Sequence, residues 1–480
     1  MDFARYESVA RAYSPVESEA DEVLELRSGA LPVALRGVLY RNGPGRLDIH
    51  GARQLHPFDG DGMVSRFAFQ GGKVHYRNRY VRTREWLAEE RAKKMLFRAF
   101  GTNVPGGFRR NALRLRFKNA ANTSVVHHGG KLLALWEGGL PHRLHPESLA
   151  TLGTEDFGGA LQHEGLVPLD RLAAGVRPFS AHPKLCTETG SLYNFGLMPG
   201  AKPKLLIYRV SESGTLDETR VVPLRTSSFV HDFVLTEHHA VFFLTPVRFA
   251  VWKALLGLVS PVDAIERDPA APLEILVVPR SGPPRWFEAR GCFVFHFIHG
   301  YEEGDRIVVD GCRMDDFAGG TVDVQDPRAL ANLDVPVALP FRWEIDLGRR
   351  TVTGRPLSPI AMELPGIAVS RGRHRYGWGT ASMEDPPGLI HHAIGKLDVD
   401  TGNVLRHSFE PDLPGEPVFV RRGLTEDDGW LLSVVYRAKE HRSDLVVLDA
   451  ATLEEVACFA LPHHHPPGFH GTFTRDPQMR

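Results

Sequence analysis

The chain has 480 residues, 42% hydrophobic and 24% charged, a balance that suits a folded protein with an ample core. Its 57 Lys and Arg nearly cancel 58 Asp and Glu, leaving a formal net charge of -1 and arguing against a globally basic nucleic-acid partner. No run reaches ~18 apolar residues, so no membrane-spanning helix is expected.

The four cysteines, Cys186, Cys292, Cys312 and Cys458, lie far apart without a CxxC pair, which suggests neither a disulfide framework nor a cysteine zinc site. The opening MDFARYESVARAYSPVESEA carries acidic residues where a signal peptide needs an uninterrupted apolar run. A soluble, cytoplasmic chain is the expectation.

Along the sequence, a turn followed by a short apolar or alternating run recurs, the pattern of a strand or hairpin. It predicts strands at GGKVHY (71–76), GGKLLALW (129–136), TGSLYNFG (189–196) and EHHAVFFL (237–244). The pattern continues at EGDRIVVD (303–310), LGRRTVTG (347–354), TGNVLRHSF (401–409), DDGWLLSVV (427–435) and ATLEEVACFAL (451–461). These intervals suit four-stranded sheets repeated around an axis, an all-β propeller of ~4–8 blades. A βαβ fold would need regular intervening helices, which the pattern lacks. One closed domain over residues 1–480 is expected.

Two segments break the pattern. REWLAEERAKKMLFRAF (84–100) has helix formers and a mixed amphipathic face. VRFAVWKALLGLVSPV (247–262) is apolar except for Arg248 and Lys253. It reads either as a helix covering the core or as an exposed lip that touches a membrane surface or guides an apolar ligand.

No P-loop, HExxH, GxSxG elbow or GxGxxG follows the expected strands. Histidine stands out instead, 23 in all, with four contexts beside strand-like residues: SAHPKL (His182), SFVHDF (His231), FVFHFIHGYEE (His296) and PPGFHGTF (His470). The innermost strands of successive blades converge on one axis, so single histidines separated by 49, 65 and 174 residues can meet there. Neutral imidazoles suit Zn, Cu, Fe or Ni by ligand type. Four would normally close a zinc site, whereas ferrous iron keeps positions open for dioxygen. Metal-bound histidines need acceptors for their outer N–H, usually carboxylates. Glu137, Glu363 and Glu416 sit inside apolar segments and could serve, or could pair with core arginines.

At these residues the sequence resembles the carotenoid cleavage oxygenases, from YRNGPGRL (40–47) and HPFDGDGMV (56–64), through ANTSVV and LLALWEGG, to GFHG near the end. The resemblance implies a seven-bladed propeller with a helical dome over the iron face. It implies one Fe(II) per chain held by His182, His231, His296 and His470, with Glu137, Glu363 and Glu416 as the supporting carboxylates. One imidazole is then held otherwise. Thr123 matches a position whose methyl group crowds an open coordination site in relatives, or it is an ordinary strand threonine. The family motif FHxxNAxE reads FHFIHGYEE here, with His299 replacing asparagine; His296 is kept as the ligand because the Phe-His pair aligns.

Within the family the chain looks closest to bacterial apocarotenoid-cleaving members. Stilbene-cleaving members place a lysine just before the first supporting glutamate, where this chain has Trp136. Together with Phe229 and Phe295 beside the ligands, Trp136 implies a tunnel for an apolar polyene, or the aromatics simply pack the core. The implied reaction is dioxygenase cleavage of one C=C bond of an apocarotenal, with O2 as co-substrate, giving retinal and a second carbonyl product. Rival readings are stilbene cleavage, isomerisation of a retinoid ester, and a non-catalytic lipid- or protein-binding propeller. Peripheral membrane contact through 247–262 is a separate expectation.

Overall fold

A computed structural model of the chain describes residues 3–114, 117–162, 176–200, 202–268, 270–316, 320–384 and 390–475. Every one of the nine turn-and-run segments contributes a strand. The strands form seven antiparallel sheets around an axis, a seven-bladed β-propeller.

Chain order dictates blade order. The second blade runs outward from Ser124–His128 and the third from Lys184–Leu185. The fourth starts with the pair Ser228–Phe229 and Val234–Leu235, the fifth with Phe293–Glu303, and the sixth with Met362–Gly366. The seventh starts with Leu413–Pro414 and Val418–Arg421. The first blade is built from both ends of the chain. Its innermost strand, Gly471–Thr474, pairs with Gly37–Arg46 in a register that sets Arg41 opposite Gly471. The early strand Glu25–Gly29 adds to the outer edge of the seventh blade at Glu455–Ala460. The ring is therefore closed by two separate pairings of the chain's beginning with its end.

Seven apolar clusters each lie between two adjacent blades. This explains why the middle strands are apolar on both faces rather than alternating. In Leu273–Pro279, Ile275 and Val277 pack toward the fifth blade while Leu276 and Val278 pack toward the third. In Arg442–Asp449, Leu445 and Val447 face the first blade while Val446 and Leu448 face the sixth. Side chains that alternate across a sheet thus fill two interfaces from one strand. Burying each such side chain is worth roughly 1.5–3 kcal/mol. An aspartate at Val446, which is 0% exposed, would place an unpaired charge in one of these interfaces.

The two exceptional segments both lie over one end of the ring. The expected helix at 84–100 is shorter, spanning Arg84–Ala92 with Thr83 accepting from the Trp86 N–H at its start. Lys93 turns left-handed (φ 50°), and the buried Glu89 carboxylate takes the N–H groups of Leu96 and Phe97 instead. The run 247–262 is not one helix either. The strand His239–Phe249 extends into it, followed by the short helix Val251–Leu255. Gly257 (φ 66°) then reverses the chain, a conformation glycine adopts without a Cβ penalty. No helix among the described residues is long and apolar enough to cross a membrane, and all four cysteines are free and buried.

Candidate metal centre

Four of the blades each deliver one histidine toward the axis, within or beside the innermost strand. His182 precedes Lys184–Leu185, His231 lies in the break between Ser228–Phe229 and Val234–Leu235, and His296 lies within Phe293–Glu303. His470 immediately precedes Gly471–Thr474. The break around His231 is fixed by Asp232, which is buried and accepts from the Phe233 and Phe297 N–H groups while pairing with Lys184 at 2.7 Å.

The four buried histidines converge with Nε2 inward. Nε2 to Nε2 separations are 2.9 Å for His182 and His231, 3.2 Å for His231 and His296, and 3.2 Å for His296 and His470. One ligand atom from each lies within 4.8 Å of all the others. Neighbouring ligands around one ion, at metal–nitrogen bonds of about 2.0–2.1 Å, are roughly 3 Å apart.

Three of the rings are held from behind. His231 Nδ1 meets the Glu137 carboxylate, which reaches across from the end of Lys131–Leu135. His296 Nδ1 lies 2.5 Å from Glu363 Oε2, and His470 Nδ1 lies 2.8 Å from Glu416 Oε1. Glu363 comes from the sixth blade's innermost strand and Glu416 from the seventh's break, so each carboxylate bridges two blades. No carboxylate meets His182 among the described residues; its backbone N–H donates to Ser180 Oγ.

These partners decide the tautomers. In the neutral ring, the form that coordinates, an Nδ1–H that donates to a carboxylate leaves Nε2 with a lone pair and no proton. His231, His296 and His470 would then aim lone pairs at one another across 3.2 Å with no hydrogen between them. A cation at their centre removes that repulsion, and the donor set fits a transition metal. Burial, with the neighbouring imidazoles, holds His182 well below the ordinary histidine value, ready to coordinate as the neutral ring. Burial pushes Glu363 and Glu416 upward, but His296 outweighs it at Glu363 and Arg41 with His470 outweighs it at Glu416, so both stay ionised.

Above the histidines lies a cavity of about 2100 Å³. Phe229, Phe295, Trp136 and Thr123 all line it, together with Phe58 and with Phe469, the residue before His470, neither of which the sequence reading assigned to the tunnel. Phe295 stands 5.2 Å from the His231 ring, and Phe58 bridges edge-on to both Phe295 and Phe469. Thr123 sits one residue before Ser124–His128; its carbonyl accepts from the His470 N–H at 3.2 Å.

His299 lies elsewhere. Its Nε2 contacts the Gly372 carbonyl at 2.9 Å and its ring packs against His374. The alternation of Phe293–Glu303, with an irregular register on either side of Phe297, turns it away from the four-histidine cluster.

Residues 13–475 match the family described as retinal pigment epithelial membrane protein. The chain belongs to this family. It is 35% identical to the apocarotenoid-15,15'-oxygenase of Synechocystis, over 97% of this chain and 96% of that protein. It is 29% identical to the carotenoid 9,10(9',10')-cleavage dioxygenase 1 of Arabidopsis thaliana, over 98% of this chain and 90% of that one. The lignostilbene-alpha,beta-dioxygenase isozyme III of Sphingomonas paucimobilis is 30% identical over 96% of this chain and 95% of that protein. The crystal structure of cobalt-substituted Synechocystis apocarotenoid oxygenase superposes with a TM-score of 0.90, at 34% identity and 98% coverage of both chains. This retinal pigment epithelial membrane protein family member is therefore an enzyme, a dioxygenase of the carotenoid-cleaving type.

Arg41 is the site residue that motif reading did not assign. Its guanidinium pairs with Glu416 and donates to the Phe469 carbonyl at 3.0 Å. The signal was present as an arginine inside the apolar run VLYRNG, which needs a buried partner.

Proposed function

We propose that the chain is an iron(II)-dependent dioxygenase that cleaves one C=C bond of an apocarotenoid, giving retinal and a second carbonyl product. The observation that carries this reading is the four-histidine cluster at the floor of a long aromatic cavity, with no carboxylate among the inward ligands. Bound there by His182, His231, His296 and His470, ferrous iron would supply dioxygen activation with its full double charge.

The side chains do the rest by position. Glu137, Glu363 and Glu416 fix three ring orientations so that the lone pairs point inward. Thr123 narrows the space beside His470, and Phe58, Phe295 and Phe469 form an apolar wall against which a flat polyene can lie. The cavity exceeds the roughly 300–1,000 Å³ that holds a drug-sized ligand, as a long substrate requires. Which bond lies over the histidines is set by how far the rod enters. No side-chain acid or base is needed for such a step.

The cavity mouth supports contact with a lipid surface, where such substrates dissolve. Trp252 (59% exposed) and Leu258 (56%) project from one loop, and Phe108 (53%) and Leu113 (69%) from a second that the sequence pattern did not single out. Lys253, Arg109 and Arg110 accompany them.

The test is to purify the protein, measure its metal, and assay an apocarotenal beside a hydroxystilbene with products separated by chromatography. Iron near one per chain with apocarotenal cleaved to retinal is the expected result. Faster turnover of the stilbene would overturn the substrate reading, and a preparation that holds no iron would overturn the mechanism.

A further inference from the structure

We infer that Arg98 is a positioning residue of the substrate entrance, whose buried guanidinium gathers the backbone carbonyls of the two apolar loops at the cavity mouth and holds them as one platform. This rests on the reading that an apolar substrate enters between those loops.

Arg98 is 1% exposed. Its Nη1 donates to the carbonyls of Ala254 at 2.8 Å, Arg114 at 3.2 Å and Asn111 at 3.4 Å. Its Nη2 donates to the Val259 carbonyl at 3.1 Å, and Nε to Asn103 Oδ1 at 2.8 Å. Two of these carbonyls belong to the loop bearing Phe108 and Leu113, and two to the loop bearing Trp252 and Leu258. Its own carbonyl accepts from the Lys118 N–H, so the hub is tied back to the segment leading into the second blade.

The chemistry explains why arginine serves here. Loops whose large side chains point outward gain no packing energy from them, so their backbone must be held by something else. A guanidinium presents five donors in a rigid fork, keeps its proton, and meets carbonyl dipoles with less hydration to lose than an ammonium. Among the described residues no carboxylate pairs with Arg98, and burial pulls its pKa down. The charge is therefore balanced by the loop carbonyls, including that of Ala254 in the short helix Val251–Leu255.

Two further contacts close the same joint. The Leu113 N–H donates to the Leu255 carbonyl at 2.8 Å. Gly257, left-handed at φ 66°, approaches Asn111 so closely that a Cβ would lie 2.4 Å from the Asn111 Cβ. The inner edge of this platform, Ala254 and Leu255, is cavity wall, and Arg98 borders the cavity beside them. None of the bonds of Arg98 reaches the four histidines or their carboxylates.

The experiment compares full-length, metal-loaded wild type with Arg98→Lys, Arg98→Met and Gly257→Ala, the last disturbing the joint without touching Arg98. Expected are a KM for apocarotenal raised about tenfold in Arg98→Met and Gly257→Ala, with kcat and metal content within about twofold of wild type. Arg98→Lys should fall between. Limited proteolysis should newly cut near 108–114 and 252–258 in both strong variants, a measurement that needs no substrate. Loops as protected as in wild type, or kcat and metal content falling together with KM intact, would overturn the proposal. A wild type that leaves apocarotenal untouched while the loops still respond would instead remove the substrate reading and leave the clamp standing.

Discussion

Arg41 and Glu416 form an ion pair inside the propeller, and the other oxygen of the same carboxylate holds His470 Nδ1 at 2.8 Å. The Gly471 N–H adds a third contact to Glu416 at 3.0 Å. This arrangement exists because the closing strand sets Arg41 opposite Gly471, next to the ligand itself.

Replacing Arg41 by alanine should leave Glu416 buried without its cation and free to turn away from His470. Loss of one partner of a buried pair costs about 3–5 kcal/mol, and loss of a metal ligand's support typically costs about 10–100-fold in metal affinity. Competition against a chromophoric chelator should show that weakening, with Arg41→Lys intermediate because it keeps charge but not the fork. An unchanged affinity would mean that Gly471 alone orients Glu416.

His296 and His299 are three positions apart on one strand, on opposite faces of its alternation, one in the cluster and the other against Gly372. His296→Ala should purify with iron near background and no cleavage activity. His299→Ala should retain iron, as measured by elemental analysis, and most of its turnover. The reverse pattern would transfer the ligand role to His299.

The apolar loops at the cavity mouth give a separable prediction. Trp252→Glu combined with Leu258→Glu should abolish flotation with liposomes, while cleavage of detergent-dispersed substrate changes less than about threefold. Single changes at Leu255 or Leu256, both half-buried, should matter less for flotation than Leu258. Flotation unaffected by the double charge change would remove the membrane contact.

Acid should destabilise the fold through histidines outside the metal cluster. Burial holds His56, His142, His374 and His391 at about 4. Each folded value lies below the ordinary 6.5, so the unfolded chain binds more protons between the two. Their contribution is complete above about pH 6.5 and is lost as pH falls toward 4, at about 1.4 kcal/mol per pH unit for each group. Urea unfolding of metal-free protein across that range should show the slope, and His142→Leu should flatten it by about one proton. A stability that is level from pH 6.5 to 4.5 would contradict this account.

Much of the architecture was legible because each blade repeats the same local chemistry: a turn, then a run apolar enough to face two neighbours. Leu273–Pro279 and Arg442–Asp449 show why such runs lack clean alternation, since both faces are covered. The lengths of the two covering segments were not legible. The run 84–100 has helix-forming composition throughout, but Glu89 is buried and captures the N–H groups that would have continued the helix. The apolar run 247–262 is divided between a strand, a short helix and a glycine reversal by its contacts with 98–114.

By itself the amino-acid sequence showed nine strand-forming runs and four histidines in strand-like contexts, because these depend on residue type and local period, while its resemblance to a known family implied the seven blades and the supporting glutamates. Only the tertiary structure decided that Arg41 stands behind Glu416, that His299 points away, and that Arg98 ties two distant loops together. Those relationships join residues up to 375 positions apart, and they follow from strand register and ring closure, which no short stretch of chain encodes.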